Sequence, residues 1–173
     1  MIKLREISDS EKYYNESDFY IKIKIVFESW YMPMRSICYW SILGSNQSLV
    51  EIAFVQNSGA ITEFTIVSMP NKFSLHCPVV SENAIEKKGL PLFAMDAWIN
   101  SDDYYLREKF PNDRDLEIYR DDFSVYIIFS KDEVALKVIN NDIVFGFDKN
   151  NVLCFIQMAG MKLNEEGFLE KIG

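Results

Sequence analysis

A single histidine, His76, stands directly before a cysteine, Cys77. A thiol and an imidazole can form a nucleophile–base pair if the two side chains approach each other. Neighbouring residues of an extended chain point to opposite faces, so adjacency works against this pair. With one histidine and no CxxC spacing, a zinc set is not completed either. The three cysteines, Cys38, Cys77 and Cys154, each lie in apolar or strand-like sequence. An odd, widely spaced set is not a disulfide framework, and free cysteine is among the most buried residue types. All three are expected to be reduced, with Cys38 and Cys154 poorly accessible.

Carboxylates are the other chemical resource, at 26 Asp plus Glu. They are densest at Asp102-Asp103, at Asp113 and Asp115, and at Asp121-Asp122. Paired carboxylates can serve glycoside hydrolysis or hold a hard cation. The sequence has no DxDxDG-type loop, and Asp is common in turns, so solvated turn residues are the plainer reading. Walker A, GxGxxG, GxSxG and HExxH patterns do not occur. The chain is therefore read as non-enzymatic, with no catalytic residue, cofactor or metal ligand assigned. Gly146 stands alone in strand-like sequence, which marks a bulge or close packing.

One segment combines charge with aromatic area. Between Asp96 and Asp122 lie nine acids: Asp96, Asp102, Asp103, Glu108, Asp113, Asp115, Glu117, Asp121 and Asp122. Four bases, Arg107, Lys109, Arg114 and Arg120, oppose them, leaving a net charge of −5. Trp98, Tyr104, Tyr105, Phe110 and Tyr119 are interleaved. Desolvated rings supply anchors for a protein interface, and carboxylates select a basic partner. Asp102, Asp103, Tyr104, Tyr105, Asp113 and Asp115 are the candidate partner-binding residues. In the competing reading the aromatics plug a sheet edge and the acids are only solvated.

The elements that must carry this segment are mainly β. Alternation from Phe19 to Phe27 places the odd positions on a core face. Ser36–Leu43, Leu49–Val55 and Ile61–Val67 continue the pattern, with Gln56-Asn57-Ser58-Gly59 as a hairpin turn. A second series follows: Leu116–Arg120, Phe123–Phe129, Val134–Ile139, Ile143–Asp148 and Val152–Met158. The short connections favour antiparallel neighbours. The doublets Asn140-Asn141 and Asn150-Asn151 suit left-handed turn geometry. Short helices are expected at Ser81–Lys88, within Ala94–Phe110, and at Asn164–Lys171 with Asn164 as N-cap. The architecture expected is a sandwich or half-barrel of antiparallel meanders, with helix confined to the centre and the C-terminus. Residues 1–173 read as one domain, with β halves at 1–69 and 113–163 and a crossover at 70–112 that holds four of the five prolines. The halves share a phrase: Phe54, Gln56 to Gly59 and Ile61 parallel Phe147, Lys149 to Asn151 and Leu153, with one gap. That is either a duplicated βββ unit or ordinary hairpin grammar.

The chain has 173 residues, 49% of them apolar and 14% aromatic. A domain of this size buries about 70% of its unfolded surface, so a core can form without disulfides or metal. The net charge of −8 disfavours nucleic acid and anionic membranes as partners. The longest apolar runs fall short of the roughly 18 residues of a membrane span, and the first residues lack the apolar core of a signal peptide. A cytoplasmic location is expected.

The last third, Asp142-Ile143-Val144-Phe145-Gly146-Phe147-Asp148 followed by Asn150-Asn151-Val152-Leu153 and a short acidic tail, resembles the immunity proteins that neutralise bacterial polymorphic or contact-dependent toxins. The resemblance is one of style across the chain and carries no motif, so it transfers no residue roles. It implies a cytoplasmic, non-enzymatic protein that binds a basic toxin domain and blocks its active site or a neighbouring surface. The alternative is a β-sandwich or barrel that binds or processes a small molecule in an aromatic-lined pocket.

Overall fold

The computed structural model describes residues 1–18, 20–31, 36–44, 48–68, 83–96, 105–109, 117–163 and 169–171. Its strands in the first half are β1 (Leu4–Ser8), β2 (Tyr13–Asn15), β3 (Ile23–Phe27), β4 (Ile37–Leu43), β5 (Leu49–Val55) and β6 (Ile61–Ser68). The central segment adds β7 (Ile85–Lys88), β8 (Leu90–Phe93) and β9 (Tyr105–Lys109). The second half holds β10 (Glu117–Arg120), β11 (Ser124–Ile128), β12 (Val134–Asn140), β13 (Ile143–Asp148), β14 (Leu153–Ala159), β15 (Met161–Leu163) and β16 (Leu169–Lys171). The protein is mainly β, as its alternating patterns require.

Two six-stranded sheets dominate, ordered β2-β3-β6-β5-β4-β9 and β10-β11-β14-β13-β12-β7. Both are open, and both are antiparallel except at one edge. There β9 runs parallel to β4, and β7 runs parallel to β12. Strand for strand the two orders are the same, with β2 to β6 corresponding to β10 to β14.

The correspondence extends to register. In the β5–β6 hairpin, Ala53 faces Glu63 and Phe54 faces Ile61, leaving Thr62 in a bulge. In the β13–β14 hairpin, Gly146 faces Phe155 and Phe147 faces Leu153, leaving Cys154 in a bulge. Further along the ladders, Ile25 faces Phe64 and Ile127 faces Ile156. The shared phrase noted in the sequence spans the hairpin turns that these bulges adjoin, and the repeating unit is five strands rather than three.

The turns of these two hairpins meet the ribbon formed by β1 and β8. The Phe93 N–H donates to the Gly59 carbonyl at 2.7 Å, and the Leu4 N–H donates to the Asn151 carbonyl at 2.8 Å. Leu4 and Phe93 face each other across the ribbon, so the two contacts are related by an approximate dyad. Gly59 and Asn151 have φ of 70° and 62°. Glycine is required at the first, because a Cβ there would lie 1.9 Å from the Phe93 carbonyl oxygen. Asparagine tolerates the second.

One apolar core lies between the sheets. Phe93 stands between the equivalent rings of Phe54 and Phe147, with centroids 5.1 and 6.0 Å away. Trp40 of the first sheet meets Phe129 at 5.8 Å, and Phe27 meets Phe145 at 6.4 Å. Aromatic pairs at these separations add about 0.5–1.5 kcal/mol each beyond their area burial.

Two expectations need correction and a third is met in part. The helix expected at Ser81–Lys88 is strand at Ile85–Lys88, held by the ladder to β12. Within Ala94–Phe110, where helical turns are expected, Asp96 is helical, residues 97–104 and 110 lie outside the described residues, and Tyr105–Lys109 is strand β9 on the edge of β4. The helix expected at Asn164–Lys171 ends instead as β16, paired with β15; residues 164–168, including the expected N-cap Asn164, lie outside the described residues. At Ile85–Lys88 and Leu169–Lys171, strand pairing overrides local helical preference. A smaller shift occurs at Phe19–Phe27, where the strand begins only at Ile23. Ahead of it, Asp18 Oδ1 accepts the N–H groups of Tyr20 and Ile21, both at 2.8 Å, and turns the chain.

Candidate functional site

The segment singled out by charge and aromatics is described in part. Asp102, Asp103, Tyr104, Asp113 and Asp115 lie outside the described residues, as do Trp98, Phe110, and the His76–Cys77 pair. Tyr105 opens β9, where its backbone pairs with Tyr39.

The C-terminal end of the segment is described in full, and it divides into a packed part and a presented part. Tyr119 of β10 is buried, in a cluster with Ile128, Val134, Cys154 and Phe155. Its hydroxyl donates to the Glu117 carboxylate, and Glu117 also receives Lys131 Nζ at 2.8 Å. Tyr119 is thus a packing residue rather than an interface anchor. This outcome matches the competing reading for that one ring.

The presented part is the tight turn from β10 to β11. Asp121 and Asp122 are exposed, and Phe123 beside them is 70% exposed. The turn is well tied down. Asp121 Oδ1 accepts the Phe123 N–H at 2.8 Å, and the Asp121 N–H donates to the Ser124 carbonyl at 3.0 Å. The Phe123 carbonyl accepts the Gly160 N–H at 2.8 Å. Both backbone groups of Phe123 are therefore fixed while its ring stands in water. Sequence reasoning placed Phe123 as the first residue of a strand. The signal it passed over was an aromatic directly after two turn-forming acids.

The two described thiols are not poised for chemistry. Burial pushes the Cys38 thiol up to about 11. Burial, then the nearby charges of Asp148 and Asp132, push Cys154 up to about 12. At neutral pH both carry their protons, and a protonated thiol is a poor nucleophile. Among the described residues, no group of three His, Cys, Asp or Glu side chains gathers to hold a metal.

A groove of about 900 Å³ runs along β1, lined among others by Arg5, Glu6, Ser8, Lys87, Lys88 and Asn151. It is open and of mixed charge, and its lining contains no aromatic residue. Among the described residues no helix is long and apolar enough to cross a membrane. No protein-family model matches the chain, and no curated protein matches it.

Proposed function

We propose that this chain is a non-enzymatic binding protein that recognises a basic protein domain and neutralises it in the cytoplasm, as the toxin-immunity proteins it resembles do. The observation that carries this reading is the Asp121-Asp122-Phe123 turn. A large ring kept in water forgoes roughly 1.5–3 kcal/mol of burial. Here it is held out by a rigid backbone next to two exposed carboxylates. Such a ring is pre-organised, so docking it orders little. The acids raise the rate of encounter with a basic surface, and the ring slows departure.

The test is co-expression with the product of the neighbouring gene in cells whose growth that product arrests. The chain restores growth if the reading holds. Phe123→Ser abolishes or weakens rescue, since losing a hot-spot ring costs about 2 kcal/mol or more, roughly 30-fold in affinity. Asp121→Asn with Asp122→Asn slows association and flattens its dependence on salt. Rescue that both variants retain in full would place the interface elsewhere. Absence of rescue and of binding would sink the reading.

A further inference from the structure

The first repeat carries a counterpart of this turn. The turn from β2 to β3 begins at Asp18, whose Oδ1 accepts the N–H of Tyr20 two residues on, as Asp121 accepts that of Phe123. Tyr20 is 84% exposed and Phe123 is 70% exposed, the two most exposed large apolar side chains among the described residues. In each sheet the turn lies at the strand end away from the Leu4–Phe93 pair. Ile23 faces Ile66 at the end of β6, and Ser124 faces Ala159 at the end of β14.

Three outward positions have not been kept alike. Positions held by Glu16, whose N–H donates to the Lys24 carbonyl, and by Lys24 and Glu63 in one sheet are held by Tyr119, Tyr126 and Phe155 in the other. Against that divergence, an aspartate-capped turn with an exposed ring two residues later stands in both. The tips are acidic as well as aromatic. Asp18, Asp121 and Asp122 are exposed, whereas the adjoining cations Lys22 and Arg120 are half-buried at the strand ends. Hydrogen bonds from the Ile21 and Tyr20 N–H groups also hold the Asp18 carboxyl below its usual range, so it stays ionised.

We infer that Tyr20 and Phe123 are paired anchors, one on each repeat, of a single interface for a basic protein surface. This rests on the proposed function and adds a second contact that the acidic segment does not contain. Two anchors on one partner act together, because the second docks at high effective concentration once the first is seated.

Tyr20→Ser, Phe123→Ser and the double variant, each made in the full chain, test this. Binding of the purified neighbouring-gene product, carrying an inactivating substitution, is measured by surface plasmon resonance. Unchanged melting temperatures confirm that the variants fold, as expected for side chains this exposed. Both single variants should raise the dissociation rate about 10-fold or more, and the double variant should bind more weakly than either. If Phe123→Ser weakens binding while Tyr20→Ser leaves it unchanged, the paired interface is wrong and the proposed function stands. If neither changes a measurable affinity, the pairing is wrong and binding lies elsewhere on the chain. If the wild-type chain does not bind, both fall.

Discussion

Where the first sheet carries Glu16, Lys24 and Glu63 on its outer surface, the second carries Tyr119, Tyr126 and Phe155 at the corresponding positions. The polar set is an ion group, with Lys24 Nζ 3.2 Å from Glu16 and 3.9 Å from Glu63. The aromatic set is a small second core. Tyr126 and Phe155 have centroids 6.5 Å apart, and Gln157 Nε2 donates to the Tyr126 hydroxyl at 3.0 Å and to Ser124 Oγ at 3.1 Å. One backbone plan therefore supports opposite outer chemistries. The inward residues cannot diverge in this way, because both sheets press on the same core. The outward ones are constrained only by what meets them.

The largest expected effect separates the two faces directly. Phe155→Ala should destabilise by about 3–5 kcal/mol, the usual cost of emptying a buried aromatic site. Its counterpart Glu63→Ala should cost no more than about 1 kcal/mol, since a partly exposed ion pair contributes little. Equal costs in urea unfolding would erase the distinction between the faces.

Next comes the glycine beneath the aromatic set. A Cβ on Gly146 would lie 2.1 Å from the Phe155 ring, so Gly146→Ala should cost about 1–3 kcal/mol through overpacking. Combining it with Phe155→Leu should cost less than the two single changes added together, because the clash is with that ring. Strict additivity would mean that the ring does not rest on the glycine.

A smaller effect concerns pH. Cys38 and Cys154 sit at about 11 and about 12 in the folded chain, against about 8.5 when unfolded. Above that lower value the unfolded state loses its thiol protons first. Stability should then fall as pH rises from about 9 toward 12, and Cys38→Ala with Cys154→Ala should flatten this slope. Native labelling of either thiol at rates near those in denaturant would contradict the burial. Smallest of all, Lys24→Met should change stability by less than about 1 kcal/mol and should weaken its sensitivity to salt.

The strands of the two repeats were legible because most are apolar runs bounded by polar turn residues and buried against one shared core. Leu49–Val55 and Ile143–Asp148 match their sequence readings at both ends. Gly146 was legible as a site of bulging and close packing, and it is both. The asparagine doublets were half legible. Asn141 and Asn151 have positive φ, but Asn140 is buried and clamps the Glu11 backbone, accepting from its N–H and donating to its carbonyl, both at 2.9 Å.

The central strands were not legible. Ile85–Lys88 is exposed along its whole length, so it shows no alternation, and its partner lies some fifty residues away in β12. Pro91 argues against a strand in the middle of a sheet, yet it sits in the two-stranded ribbon opposite Ile7, where proline is tolerated. The Phe123 anchor was hidden for a related reason. An aromatic at the head of an apolar run reads as core, and only the hydrogen bonds around the turn show that the strand proper begins at Ser124.

Hydrogen exchange on the chain, alone and with the purified neighbouring-gene product bound, tests the central claim most directly. Amides of residues 17–22 and 120–124 should gain protection in the complex, while the groove strands Leu4–Ser8 and Ile85–Lys88 should exchange as before. Protection confined to those groove strands, with both turns unchanged, would contradict it.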